Sequence, residues 1–148
     1  MNAQKPKYII DTVNGTAVLE LYVNDALSLT YAMEAGSVLM EALPDPVTVP
    51  FSDVEQNIGF LHQFVAQIRL VLAPSPTPLD KYKETMEKTD TGIEAVYRHL
   101  NKKLTDCEYL SETKEFTFKP RNETTLPFAD FEAWVYFLKR VLYNAKAL

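Results

Sequence analysis

The chain has 148 residues, of which 47% are apolar and 24% charged, with a net charge of −5 and one cysteine. That length suits one domain with a buried core that needs no disulfide, and a lone Cys107 forms none internally. No apolar run reaches the roughly 18 residues of a membrane span, and the N-terminal stretch lacks the apolar run and cleavage site of a signal peptide, so a cytoplasmic protein is expected. The charge is unevenly laid out. Between Lys7 and Arg69 there is no lysine or arginine, whereas from Pro74 onward basic and acidic residues balance. An acidic first half disfavours nucleic acid as a partner and suits steering toward a basic protein surface.

Residues 8–23 read as a β-hairpin. Asn14-Gly15 is the preferred pair for a two-residue type I′ turn, which places Tyr8 opposite Leu21, Ile10 opposite Leu19 and Thr12 opposite Ala17. Residues 26–43 suit either a helix with a polar stripe at Thr30, Glu34, Ser37 and Glu41, or two further strands. The strand register closes without adjustment, setting Leu29 beside Leu21 and Tyr31 beside Leu19. The helix would be apolar over most of its circumference, so a meander is favoured. Val47–Val49, between two prolines, reads as a short edge strand.

Ser52 to Leu72 is the central helix, with Val54, Ile58, Leu61, Val65, Ile68 and Leu72 along one face and Pro74 as its stop. Ser52 and Glu55 have the spacing of a capping box. The proline-rich connector 74–78 is the candidate subdomain boundary within an otherwise single domain, 1–148. Beyond it, Leu79, Tyr82 and Met86 suggest a thin amphipathic helix, with Glu84 and Lys88 as an i,i+4 pair. Ile93, Val96, Tyr97, Leu100, Leu104 and Cys107 suggest a second helix capped by Thr91 and Glu94. Glu115–Lys119 reads as a strand, and Pro127–Lys146 as a last helix burying Phe131, Trp134, Val135, Leu138, Val141, Leu142 and Ala145. The sum is an α+β fold: an N-terminal antiparallel meander, with its hairpin at Asn14-Gly15, packed against three or four helices. No internal repeat is read in the chain.

The motifs of cofactor chemistry are missing. Gly15, Gly36, Gly59 and Gly92 stand about twenty residues apart, so no phosphate-cradling loop forms. His62, His99 and Cys107 lack zinc spacing, and Cys107 falls on an apolar stripe as an inert thiol. His62 reads as a surface histidine and Asn57 as a capping amide in the core. No catalytic residue, cofactor or metal is assigned.

The feature singled out is on the last helix. Tyr136 and Tyr143 lie two turns apart, away from the Trp134 stripe, with Lys139 and Arg140 between them. Exposed tyrosines beside arginine have the composition of binding hot spots. The competing reading lays both rings flat over the core edge or on the proline-rich connector. The expectation is a non-enzymatic protein-binding module, a chaperone, adaptor, inhibitor or assembly factor, that self-associates. It would act through its acidic half and the face formed by Tyr136, Lys139, Arg140 and Tyr143. The alternative is a small enzyme or ligand-binding domain with carboxylates in a pocket between sheet and helices.

Overall fold

The computed structural model describes residues 6–23, 25–42, 47–72, 74, 82–100, 102–119 and 124–148. Ten strands form two antiparallel sheets, and two helices pack against both. The strands are β1 (Lys7–Asp11), β2 (Thr16–Val23), β3 (Asp25–Ala32), β4 (Ser37–Ala42), β5 (Val47–Pro50), β6 (Tyr82–Lys88), β7 (Gly92–His99), β8 (Lys102–Leu110), β9 (Glu115–Phe118) and β10 (Thr124–Pro127). Helix α1 (Phe51–Gln67) runs into a π-helical turn at Ile68–Leu72, and α2 spans Phe128–Lys146. The first sheet has the order β1-β2-β3-β4-β10, the second β5-β9-β8-β7-β6.

The meander is present, with its register displaced. Tyr8 pairs with Leu19 and Ile10 with Ala17, two residues from the expected partners. Asp11 is the reason. Its carboxylate accepts hydrogen bonds from the backbone N–H groups of Val13 and Asn14 at 3.0 and 3.1 Å, and from the Asn14 amide at 2.7 Å. This Asx-type cap opens the tight pair into a four-residue loop, Thr12–Gly15, in which Gly15 carries the positive φ. A slip of two keeps every side chain on its face. Ala17, Leu19 and Leu21 are buried as the alternation requires. Leu29 and Tyr31 are likewise displaced by two, onto Leu19 and Ala17.

Where two further helices are expected, Tyr82–Lys88, Gly92–His99 and Lys102–Leu110 are strands, while residues 79–81 lie outside the described residues; the chain has two helices among the described residues rather than three or four. In this stretch apolar residues fit both periods. Ile93, Ala95 and Tyr97 alternate on β7, and Thr105, Cys107 and Tyr109 on β8, and all six are buried, with Leu104 also buried beside the register shift of this ladder. Gly92 is a packing requirement, since a Cβ there would stand 1.7 Å from the Tyr109 carbonyl oxygen. The Ser52–Glu55 capping box does not form either. Helix α1 starts at Phe51, directly off β5, with Pro50 in the cap position and no side-chain cap. The Phe51 N–H donates to the Lys114 carbonyl at 2.9 Å instead.

That bond has a twin. Phe128 N–H, at the start of α2, donates to the Gly36 carbonyl at the same 2.9 Å. Gly36 and Lys114 both close a turn with positive φ, 66° and 56°, and each accepts the first N–H of a helix. The two halves of the chain repeat one plan, four meandering strands, a fifth short strand and a helix, which corrects the reading that no repeat is present. The match is visible in residues too: Thr48-Val-Pro-Phe-Ser-Asp-Val-Glu55 against Thr125-Leu-Pro-Phe-Ala-Asp-Phe-Glu132, 77 positions apart.

The fifth strands are exchanged. β5 leaves the first meander and pairs with β9, with Val49 opposite Phe116. β10 leaves the second and pairs with β4, with Leu126 opposite Val38. Tyr31 meets Phe128 edge-on, as Tyr109 meets Phe51. Arg69 pairs with Glu132 across the helices, as Lys146 does with Glu55 at 3.9 Å. The buried apolar residues of both halves form one cluster, in which Phe64 of α1 touches Phe131 of α2. Of the connector 74–78, Pro74 is described and residues 75–78 lie outside the described residues.

Exchange makes a test available. With a protease site placed at residue 77 and cut, each half still holds a strand of the other's sheet. The nicked chain is expected to elute as one species with an unchanged circular dichroism spectrum, and to separate only in denaturant. Two half-size peaks in native buffer would contradict the exchanged topology.

Candidate protein-binding face and a buried polar cluster

Helix α2 buries Phe131, Trp134, Val135, Phe137, Leu138, Val141 and Ala145, a broad apolar arc that fixes which residues face outward. Tyr136, Lys139, Arg140 and Tyr143 are all exposed on the opposite arc, so the four residues singled out share one surface. Tyr143 is 75% exposed, which excludes the flat, core-edge placement for that ring. Tyr136 is 46% exposed and rests edge-on against His62 of α1, with centroids 5.4 Å apart. Arg140 is tied to Glu84 on β6, its Nε donating at 3.2 Å.

His62 is therefore not the free surface residue expected. It is half-buried between the helices, and its Nε2 has no hydrogen-bond partner among the described residues. Burial pushes its pKa below the ordinary value, and the nearby Lys139 charge pushes the same way against the weaker pull of Glu132. Asn57 is partly buried, at the position in α1 that corresponds to Trp134 in α2.

A second group of polar residues lies under α2. His99, at the end of β7, is 11% exposed, and its Nε2 is 2.9 Å from the carboxylate of the fully buried Asp130. Trp134 donates its indole N–H to Thr105 at 2.7 Å. The Tyr97 hydroxyl is buried with no hydrogen-bond partner among the described residues, its ring stacked on Tyr82 and packed on Phe137. Burial, then the Tyr82 and Asp130 neighbours, hold that phenol well above its ordinary pKa range. Sequence reasoning missed this cluster because Asp130 and His99 are 31 residues apart on elements that had been assigned differently. The repeat was the available signal: Asp53 and Asp130 correspond, and so do β2 and β7.

Cys107 is buried on β8 opposite Ala95, away from His99, which sits at the far end of the β7–β8 ladder. Among the described residues no three His, Cys, Asp or Glu side chains are grouped to hold a metal ion, and no helix is long and apolar enough to cross a membrane. Comparison with protein-family models, curated proteins and solved structures finds no match to the chain.

Two measurements check this description. Asp130→Ala removes the buried carboxylate that meets His99 and is expected to cost roughly 1–3 kcal/mol in urea unfolding. The corresponding Asp53→Ala, at a half-exposed first-turn position, should cost at most about 1 kcal/mol. Equal losses would show that the His99 pair contributes nothing. The second is pH dependence. The folded chain favours neutral His62, so the unfolded chain binds more protons as pH falls, and stability is lost below the ordinary histidine value of 6.5. His62→Gln is expected to lose less stability than the parent between about pH 7 and pH 5. An identical decline in both proteins would remove His62 as its source.

Proposed function

We propose that the chain is a non-enzymatic protein-binding module, of the chaperone, adaptor, inhibitor or assembly-factor kind, working in the cytoplasm. One observation carries the reading: two tyrosines seven positions apart stand exposed on α2 with Lys139 and Arg140 beside them. Tyrosine brings a large, stiff contact surface that loses little entropy on binding, and a neighbouring cation adds orientation. At the corresponding positions α1 carries Gly59, His62, Gln63 and Ala66, a set with little contact area. The face is thus a property of one half of a duplicated scaffold. The basic-free first half adds a negative field, which speeds encounter with a partner whose body is basic. Self-association belongs to the same proposal.

A ligand-binding or enzymatic role is the second reading, and the buried cluster of Tyr97, His99 and Asp130 beneath α2 favours it. That cluster lies between sheet and helix, where the carboxylate pocket of such a domain would be sought.

The two readings separate in one experiment. The tagged full chain and its Tyr136→Ala/Tyr143→Ala variant are used to capture partners from native lysate at low and high salt. The first reading expects a stoichiometric partner, weakened by salt and lost in a variant whose circular dichroism and melting remain those of the parent. Capture that persists in the variant, or depends instead on Asp130, would move the function away from this face.

A further inference from the structure

The helix pair carries four lysines and arginines: Arg69, Lys139, Arg140 and Lys146. Three are answered by carboxylates, Arg69 by Glu132, Arg140 by Glu84 and Lys146 by Glu55. Lys139 is exposed and has no carboxylate partner among the described residues. The four carboxylates of these helices offer it none: Glu55 and Glu132 are taken, Asp130 is buried on His99, and Asp53 lies in the first turn of α1. Its charge reaches His62, which it helps to keep neutral. Lys139 is thus the one cation of the two helices that a partner's carboxylate could pair without displacing a carboxylate of the described residues.

Lys139 also sits between the two exposed rings. Tyr136 and Tyr143 are separated by seven helical residues, about 10 Å along the axis. We propose that this face receives an acidic segment of a partner protein, with an aspartate or glutamate against Lys139 and apolar or aromatic side chains on Tyr136 and Tyr143. The proposal rests on the reading of α2 as the binding face and gives its occupant a chemistry. The acidic first half acts on the partner's body at a distance and is screened by salt, whereas the contact at Lys139 is local. The pseudo-two-fold places Gly59, His62, Gln63 and Ala66 where a second site would be, and a side chain at Gly59 would meet only open space. Each chain therefore takes one segment.

The test pans phage-displayed random dodecapeptides against the folded full chain. Enriched sequences are expected to carry Asp or Glu flanked by apolar residues, and a synthetic representative to bind one per chain. Lys139→Glu should weaken that peptide roughly tenfold or more and turn selection toward Lys- and Arg-bearing sequences, while Lys139→Arg retains it. Enrichment lost in Tyr136→Ala/Tyr143→Ala yet indifferent to Lys139→Glu overturns the acidic partner alone. Enrichment indifferent to the tyrosines removes the face itself. Basic or uncharged peptides selected by the parent chain overturn the proposal directly, and no enrichment at all counts against both readings.

Discussion

Everything in this fold hangs on two short strand exchanges. β5 and β10 have four residues each, and among the described residues each is the one strand its half lends to the opposite sheet. Both end in Pro-Phe, and the phenylalanine opens a helix at once. Proline suits that junction because the preceding ladder ends there and the first helical turn needs no N–H from it. The first helical N–H then finds its acceptor in the turn of the other meander, Lys114 for α1 and Gly36 for α2. A side-chain cap would be redundant, and neither helix has one. One backbone bond thus fixes the start of each helix relative to the sheet it did not come from.

What could be read in the chain beforehand follows from how local its cause is. The first meander was legible because alternation and turn residues are near neighbours. Even there, Asp11 reached three residues ahead to reshape the loop and slide the ladder by two. The stretch from Tyr82 to Cys107 was not legible. Val96 and Leu100 complete a helical stripe as convincingly as Ala95 completes a strand, and only pairing across β6, β7 and β8 decides between them. The outward face of α2 could be read, because a nineteen-residue helix with a wide apolar arc leaves little choice for Tyr136, Lys139, Arg140 and Tyr143. The buried pair of His99 and Asp130 could not, since it needs the strand assignment first. The Thr-x-Pro-Phe-x-Asp-x-Glu repeat held that information, and aligning it would have carried the first meander onto the second.

Duplication also explains where the halves diverge. The elements that hold the exchange, the two ladders, the two helix-entry bonds and the two ion pairs between helices, are kept in both. Away from them the chemistry departs. Trp134 replaces the equivalent of Asn57, bringing an indole that must be satisfied and finds Thr105. Asp53 stays half-exposed while Asp130 is buried on a histidine. The second half thus holds the buried His99–Asp130 pair, the indole hydrogen bond and the exposed tyrosines.

Such divergence is cheap on this scaffold for a physical reason. A homodimer built on the same exchange would carry any new side chain twice, and near its axis a residue would meet its own copy. Tyr136 shows what a single chain permits: its ring leans on His62, a contact made once, while the corresponding positions of the other half are Gly59 and Lys139, and a side chain at Gly59 would meet only open space. Lysine at both 62 and 139 would set like charges together, since the Lys139 charge already reaches His62. Joining the halves in one chain lets one helix carry small or polar residues at these positions and the other the rings and the charge. A single outward face on α2 is what that asymmetry produces.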